Sequence, residues 1–597
     1  MENKVINKKQ LFIIILSILL VIVGSTVAWF TWRSEDDTKL VLTVGDIAEI
    51  VYDKGNSISA SNIGPVLDIN DGEYTTFTFR KRIEASYDVG VYITPSTLPS
   101  GLKEDSFKIA LMKSSDGNSY SLVKEVSFKN KNVGTKYLVS GDTITDAVTY
   151  YKVVIYIDGK MINPNSMMGQ TFSGVISVEG DKDGCFIDDV EPNAPVLADG
   201  MIPIKWDGTK WVKASTDNWY NYSNKEWANA VMVRTDKDSN VNGSSSREQY
   251  MSAIEGTKIL ESDILAYYVW IPRYRYKLFN VSSEVMSSIE ICTQFESGTP
   301  AKQAGSVNGS WLTHPGFTYG EDELSGIWVG KFETSVDDND ACYTSPSSTN
   351  CNKALSSPRI KPNRSSLIYQ NVSNQFLTAQ KIGTVTYLTP DGVSKTDAHM
   401  IKNTEWGAVA YLKQSRYGLG VEAIANNSYK TSAEPNYMAG CGPKSLTDYN
   451  NSTTTCNAYN TDIGVKASTT GNITGVYDMA GGSDEYVMGI LKTSNGTGLS
   501  YASTGFTTST LPLGSKYVDA YTYGTDVNDF SRRILGDATG EVKGWYGGRF
   551  GFPFNTYTVF RRGGMAGAYY SGIFYFYRDN GYSSNYYSFH SALAVNK

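Results

Sequence analysis

Residues 11–30, LFIIILSILLVIVGSTVAWF, place twenty uncharged and mostly apolar side chains in a row. As a helix rising 1.5 Å per residue the run is ~30 Å long, the thickness of a bilayer core. A lone segment inside lipid must satisfy its own backbone polar groups, and a helix does so. Lys4, Lys8 and Lys9 precede the run and mark its cytoplasmic side, while Trp29 and Trp32 fall at the opposite interface. The sequence therefore predicts a cytoplasmic tail at 1–10, a membrane anchor at 11–32 and everything later outside the cytoplasm. A cleaved signal peptide is the alternative, with Ser25, Thr26 and Ala28 as the small residues a peptidase needs. Both readings export the rest of the chain.

At 597 residues there is material for two or three domains. The 55 glycines, and 41 tyrosines against 22 phenylalanines, favour strands and loops over helix bundles. A net charge of −7 without any long Lys/Arg block argues against nucleic acid as a partner, because neutralising phosphates needs a basic surface. Cysteine usage suits export. Cys342 and Cys351 bracket one short polar loop and Cys441 and Cys456 another, so both pairs are candidate disulfides. Zinc is disfavoured: no CxxC spacing occurs, and the three histidines, His314, His399 and His590, are scattered. Cys185 and Cys292 are left over, and a buried free thiol is the simplest expectation for each.

Between residues 36 and 180 the pattern is one of short strands. YTTFTFR (74–80) and KVVIYI (152–157) alternate, turn signals such as Asp158-Gly159 separate the runs, and no three-turn helical stripe occurs. A β-sandwich is expected. Residues 181–200 are acidic, contain proline and lack periodicity, as a linker would. PIKWDGTKWVKA (203–214) and WYNYSNKEWANAV (219–231) read as Trp-bearing hairpins, their rings forming a small aromatic core or a sugar-stacking platform. Residues 268–279 and 327–333 read as strands. Residues 403–415 read as a helix with Asn403 as N-cap, Glu405 in the first turn and Trp406, Val409, Ala410 and Leu412 on an apolar face. The Ser/Thr/Asn/Gly-rich stretches 431–470 and 491–514 are expected to be surface loops.

TVAWFTW (26–32) through MINPNSMMGQTFSGVISVEG (161–180) resembles the camelysin-like family of exported bacterial matrix and surface proteins. That resemblance implies a surface role but no protease activity, since the segment has no histidine. Farther on, GVYDMAGGSDEYV (475–487) resembles the signature of the formylglycine-generating-enzyme, or sulfatase-modifying-factor, family, G-x-Y-D-M-x-G-N-x-W-E-W. IWVGKFETS (327–335), NTEWGAVAYL (403–412), FRRGGMAGAYY (560–570) and SFHSALAV (588–595) fit the same family in its order. The resemblance implies an α+β, C-type-lectin-like domain with long loops over residues 201–597. It also implies two reactive cysteines after R-G-G, where this chain reads MAGAYYSGIFYF (565–576). No cysteine follows Cys456, so the thiolates that copper-dependent oxidation needs are missing. In the family the G-N-x-W-E segment can hold calcium. Here Gly482 stands for the Asn and Asp484 for the first Trp, while Glu485 remains. Asp484 and Glu485 are thus candidate calcium ligands, with shaping of a turn as the alternative.

Seventeen of the fifty residues 541–590 are aromatic, against 12% for the chain, and Tyr, Ser, Asn and Gly dominate 568–590. Tyrosine supplies rigid amphipathic area and the small polar residues supply adaptable hydrogen bonds, a combination suited to recognition. Tyr569, Tyr570, Tyr577, Arg578, Asp579, Tyr582, Asn585, Tyr586 and Tyr587 are the candidate ligand-binding residues. The stretch also resembles ligand-binding proteins diversified by retroelements, which vary after R-G-G. The expected protein is β-rich and multidomain: a transmembrane helix, a β-sandwich stalk, and a non-catalytic lectin-like domain for a cell-surface glycan or protein ligand. One alternative is a structural surface or fibre subunit. The other is a degenerate enzyme of the formylglycine-generating type.

Overall fold

The computed structural model describes residues 40–595 apart from 45–47, 53–56, 62–63, 82–86, 162–166, 168, 182–189, 218, 236–245, 279–290, 305–310, 424, 429–436, 446–450, 513 and 585. The chain divides into two units, Met1–Asp189 and Val190–Lys597. Residues 11–32, where the sequence places the anchor, lie outside the described residues. Among those described, no helix is long and apolar enough to cross a membrane. The eight residues 182–189 of the expected linker are likewise outside. Residues from Val190 onward already belong to the second unit: Trp270 Nε1 donates to Asn193 O and Trp328 Nε1 to Val196 O.

The first unit is a β-sandwich, as its alternating runs require. One sheet runs in the order Leu40–Val44, Ala48–Tyr52, Glu73–Lys81, Val148–Asp158, Phe107–Ser114, Ser121–Ser127, with the short Pro65–Val66 beside Val148–Asp158. The other runs Ser57–Ala60, Phe172–Asp181, Tyr87–Thr97, Tyr137–Ile144. The period of two sends Phe77, Phe79, Tyr151, Val153 and Ile155 inward, where they share one core with Val89, Val91, Ile93, Phe172 and Ile176 of the facing sheet.

In the second unit a seven-stranded sheet has the order Trp211–Lys213, Met201–Trp206, Asn229–Val233, Ile264–Pro272, Gly326–Gly330, Ser591–Val595, Thr396–Met400. Its middle strands are buried end to end, so they read as continuous apolar runs rather than alternating ones. A second, four-stranded sheet has the order Asp519–Tyr521, Glu485–Leu491, Val559–Gly563, Gly572–Asp579. The Trp segments supply core rather than a platform: Trp211, Trp219 and Trp227 are 4%, 5% and 1% exposed. Their indole N–H groups all find acceptors, on Tyr459, on Ile204 and Asn229, and on Tyr417. The polar stretch 431–470 is less superficial than its composition suggests. Tyr437, Ala439, Cys441 and residues 467–470 are buried, and their polar groups bond both within the stretch, as Ser468 Oγ to Val465 O, and beyond it, as Thr469 Oγ1 accepting from Val476 N.

Both expected disulfides are present, Cys342–Cys351 and Cys441–Cys456. The free-thiol expectation for Cys292 is wrong: it too is disulfide-bonded, to a partner outside the described residues.

The helix forms at Asn403–Gln414, but its N-cap is Lys402, whose backbone N–H donates to Glu405 Oε2 at 2.8 Å. Asn403 is instead the first helical residue. Its side chain is taken by tertiary partners, donating to Tyr521 OH and accepting from Arg562 Nη1. The helix is buried on all sides from Asn403 to Lys413. Gly407 marks its closest approach, since a Cβ there would lie 1.9 Å from Gly536 O. In an open helix Gly→Ala gains about 1 kcal/mol. Here Gly407→Ala should destabilise by about 1–3 kcal/mol, because the obstacle is backbone and cannot rotate away. Urea unfolding followed by tryptophan fluorescence reads the sign, and a stabilised variant would refute the packing.

Candidate functional site

Both faces of the four-stranded sheet pack against core, Val487, Leu491, Phe560 and Phe574 on one side and Tyr486, Met488, Ile490 and Val559 on the other, and the second face reaches the surface only around Tyr577–Asp579. Register sets Arg561 opposite both Tyr486 and Tyr577, so the three form a row across the sheet. Tyr575 and Asp579, two residues either side of Tyr577, extend the same face. The other parity, Phe574 and Phe576, packs inward on Trp545 and Phe530.

Arg561 is the centre of this face. Its Nη1 donates to Asp484 Oδ2 at 2.9 Å and to Tyr587 OH, and its guanidinium lies 5.1 Å from the Tyr587 ring and 5.3 Å from the Tyr577 ring. Burial pushes the Asp484 carboxyl up to about 6, with Arg561 pulling the other way. Tyr587 stands on Tyr486, whose hydroxyl donates to Asp579 Oδ1 at 2.8 Å. Arg549 enters from the preceding loop, its guanidinium 4.0 Å from the Tyr577 ring centre and its Nη2 donating to Tyr577 OH at 3.0 Å. Burial opposes ionisation of the Tyr577 phenol, yet Arg578 and Arg549 beside it hold the group below its ordinary range.

The sequence candidates divide accordingly. Tyr570, Tyr577, Asp579 and Tyr587 are brought together on this face, with Tyr570 parallel to buried Tyr575 at 6.0 Å. Tyr569 is 84% exposed beside Tyr570. Tyr582 is exposed, and its carbonyl accepts from Tyr486 OH. Tyr586 sits at the margin against Tyr369. Arg578 curls back beside Tyr577, its guanidinium 4.6 Å from that ring, 4.9 Å from Phe554 and 5.5 Å from Tyr557. Asn585 lies outside the described residues. Arg549, Arg561, Tyr486 and Tyr575 were missing from the sequence list. Arg561 stood inside the quoted FRRGG motif, and alternation from Tyr577 would have reached Tyr575.

The acids of GVYDMAGGSDEYV serve three different ends. Asp478, at φ 66°, accepts from Gly440 N at 2.8 Å, Asn426 Nδ2 at 2.9 Å and Glu333 N at 3.2 Å, and so ties three segments into a turn. Asp484 holds Arg561. Glu485 Oε2 meets His590 Nδ1 at 2.6 Å, while His590 Nε2 lies 3.0 Å from Tyr477 O. A carbonyl can only accept, so Nε2 carries hydrogen. Burial, with Asp478 and Asp484 nearby, raises the Glu485 carboxyl, and burial lowers His590 to about 4. Both directions make the pair neutral, with Glu485 donating to Nδ1.

This arrangement does not fit the calcium ligand set. Asp484 and Glu485 engage different partners, one of them a guanidinium. At Gly482, where the family signature has Asn, a Cβ would lie 2.5 Å from Glu333 Oε1, so the space for a ligating side chain is filled. Among the described residues no three His, Cys, Asp or Glu side chains are grouped to hold a metal ion.

No protein-family model matches the chain, and no curated protein does. Solved structures similar to part of it include a pectin-binding carbohydrate-binding module, at 17% identity over 20% of this chain and 70% of that one, TM-score 0.12. Another is a carbohydrate-binding module from Clostridium perfringens in complex with GalNAc-β-1,3-galactose, at 14% identity over 21% and 94%, TM-score 0.12. A third module, in complex with β-1,4-galactotriose, has 13% identity over 22% and 88%, TM-score 0.12. Likeness at that TM-score carries no weight for fold or ligand.

Proposed function

We propose that this is a membrane-anchored, outward-facing surface protein whose second unit is a non-catalytic recognition domain carried on the β-sandwich. In this reading the second unit has a C-type-lectin-like fold of the formylglycine-generating type without its cysteines, and its ligand is a cell-surface glycan or protein. The observation that carries the reading is the solvent-facing group of Tyr570, Tyr577 and Tyr587 with Arg549 and Arg561. It offers planar rings and hydrogen-bond donors together, with Arg561 and Tyr577 on paired strands and Arg549, Tyr570 and Tyr587 on the loops beside them. A nucleophile is not among these groups, and the three histidines are fully buried.

The full chain, probed against glycan and protein-ligand arrays, should bind a defined ligand. Tyr577→Ala should then weaken that binding by about tenfold or more with little change in unfolding midpoint, as a half-exposed anchor would. Binding unaffected by Tyr577→Ala places recognition elsewhere. Conversion of a sulfatase-type Cys peptide to formylglycine above a no-protein control would overturn the non-catalytic reading.

A further inference from the structure

Three arginines, Arg549, Arg578 and Arg561, lie within 5.3 Å of the Tyr577 ring centre, and Arg549 and Arg561 differ in one respect that bears on ligand chemistry. Arg561 is already neutralised, by Asp484, and also occupied by Tyr587. Arg549 is exposed and its guanidinium has no carboxylate partner among the described residues; the side chain donates to the Tyr577 hydroxyl through Nη2, and the backbone bonds Tyr570 O and Phe576 N. Its guanidinium is nonetheless fixed in place. One face lies on the Tyr577 ring at 4.0 Å, and the Tyr570 ring is 5.6 Å away. In a chain of net charge −7 an ordered, unpaired guanidinium between two tyrosine rings is a receptor for an anion.

We propose, resting on the recognition reading above, that Arg549 receives the carboxylate of an acidic sugar whose ring stacks on the adjoining tyrosines. A guanidinium offers paired N–H donors to a carboxylate, and with Nη2 held by the Tyr577 hydroxyl the Nε and Nη1 donors of Arg549 remain for it. Tyr569, 84% exposed and set edge to face on Tyr570 at 5.2 Å, offers one aromatic face for the C–H side of a pyranose. Asp579 is at the far side of Tyr577, held by Tyr486 and Gly581 N, so one carboxylate group is accommodated and a densely charged polyanion is repelled. An uronate- or sialate-type monosaccharide unit matches this balance. A nucleic acid or a heavily sulfated chain does not.

The test uses the full chain and four immobilised probes: oligogalacturonate, the same oligomer fully methyl-esterified, a sialylated oligosaccharide, and a Glu-rich peptide. Retention on at least one carboxylated saccharide, with the methyl ester or the desialylated form bound tenfold less or worse, is the expected result. Arg549→Ala should reduce that binding by about tenfold or more, and Arg549→Lys, which keeps charge but loses the bidentate edge, by less. Neither exposed substitution should move the unfolding midpoint. Equal binding of acid and ester, or binding sensitive to Tyr577→Ala but indifferent to Arg549→Ala, overturns the carboxylate assignment while leaving recognition standing. Arg549-dependent capture of the peptide alone overturns the saccharide. Absence of binding to all four probes, together with a Tyr577-dependent protein ligand on the array, also overturns it. If no array ligand of any kind depends on Tyr577, the recognition reading itself fails.

Discussion

Arg562→Ala should lower the stability of the second unit by about 3–5 kcal/mol, although Arg562 touches no solvent and no ligand. The guanidinium is fully buried and works as a hub. Nε donates to Tyr575 O at 2.9 Å, Nη1 to Asn403 Oδ1 at 2.6 Å and Asp537 O at 2.9 Å, and Nη2 to Ala538 O at 2.9 Å. Truncation leaves these acceptors without donors inside the protein, each costing about 1–3 kcal/mol if water cannot enter. Burial lowers the Arg562 pKa to about 10, still far above neutrality, so the charge is present at pH 7. Arg562→Lys should recover only part of the loss, because an ammonium offers three donors at one point instead of a planar fork. The measurement is convenient. Trp29 and Trp32 precede the sandwich and the other nine tryptophans follow Val190, so the fluorescence transition of a chain starting after residue 33 reports the second unit alone. A shift below 1 kcal/mol would mean that the network relaxes around the missing side chain.

The second large effect is a pH dependence centred on His314. The ring sits among Tyr274, Tyr276, Phe317 and Tyr411, and its Nδ1 accepts from Gly316 N at 3.1 Å. Burial pushes its pKa down to about 3, from an ordinary 6.5. The folded state thus holds the neutral ring and the unfolded state takes the proton. Stability from this group is complete above pH 6.5 and drains away as pH falls toward 3, at about 1.4 kcal/mol per unit. The buried acids act in the opposite sense. Glu333, Glu485 and Asp484, whose pKa values are raised, favour the fold at low pH and lose that contribution as pH climbs. The wild-type profile is therefore a difference, and a variant isolates the histidine. His314→Asn keeps an acceptor for Gly316 N without a titrating ring. Between pH 6.5 and 4.5 the wild type should lose roughly 2.3 kcal/mol more than the variant, the slope reaching its full value only below the unfolded pKa. Parallel profiles would show that His314 is hydrated or charged in the fold.

Legibility in the sequence followed burial geometry. The sandwich strands around Phe77 and Tyr151 could be read because one face of each is buried and the period of two survives in the residue pattern. Ser591–Val595 could not be read that way: all five residues are buried, so no alternation exists to find. The helix from Asn403 was visible as a helix, but its cap was misplaced because Asn403 answers to Arg562 and Tyr521, which lie over a hundred positions away in the chain. At the site, composition pointed to the tyrosines and strand parity sorted them. Tyr577 and Arg578 are neighbours of opposite parity on one strand, yet the long Arg578 side chain reaches back to within 4.6 Å of the Tyr577 ring. Arg549 carried no local signal. Whether an arginine is paired depends on which carboxylates the fold brings near, and that is a property of the register rather than of the segment.

The placement of Ser591–Val595 between Gly326–Gly330 and Thr396–Met400 sets an order of events in the cell. Leu593 pairs with Trp328 across 265 positions of chain (593 − 328). Until the later strand has left the ribosome, the earlier one waits with an open edge, a natural target for chaperones and for misassociation. The sandwich has no such dependence and is free to form while synthesis continues. Products cut short by a frameshift or a stalled ribosome would then carry a folded sandwich with an unfolded, protease-sensitive remainder.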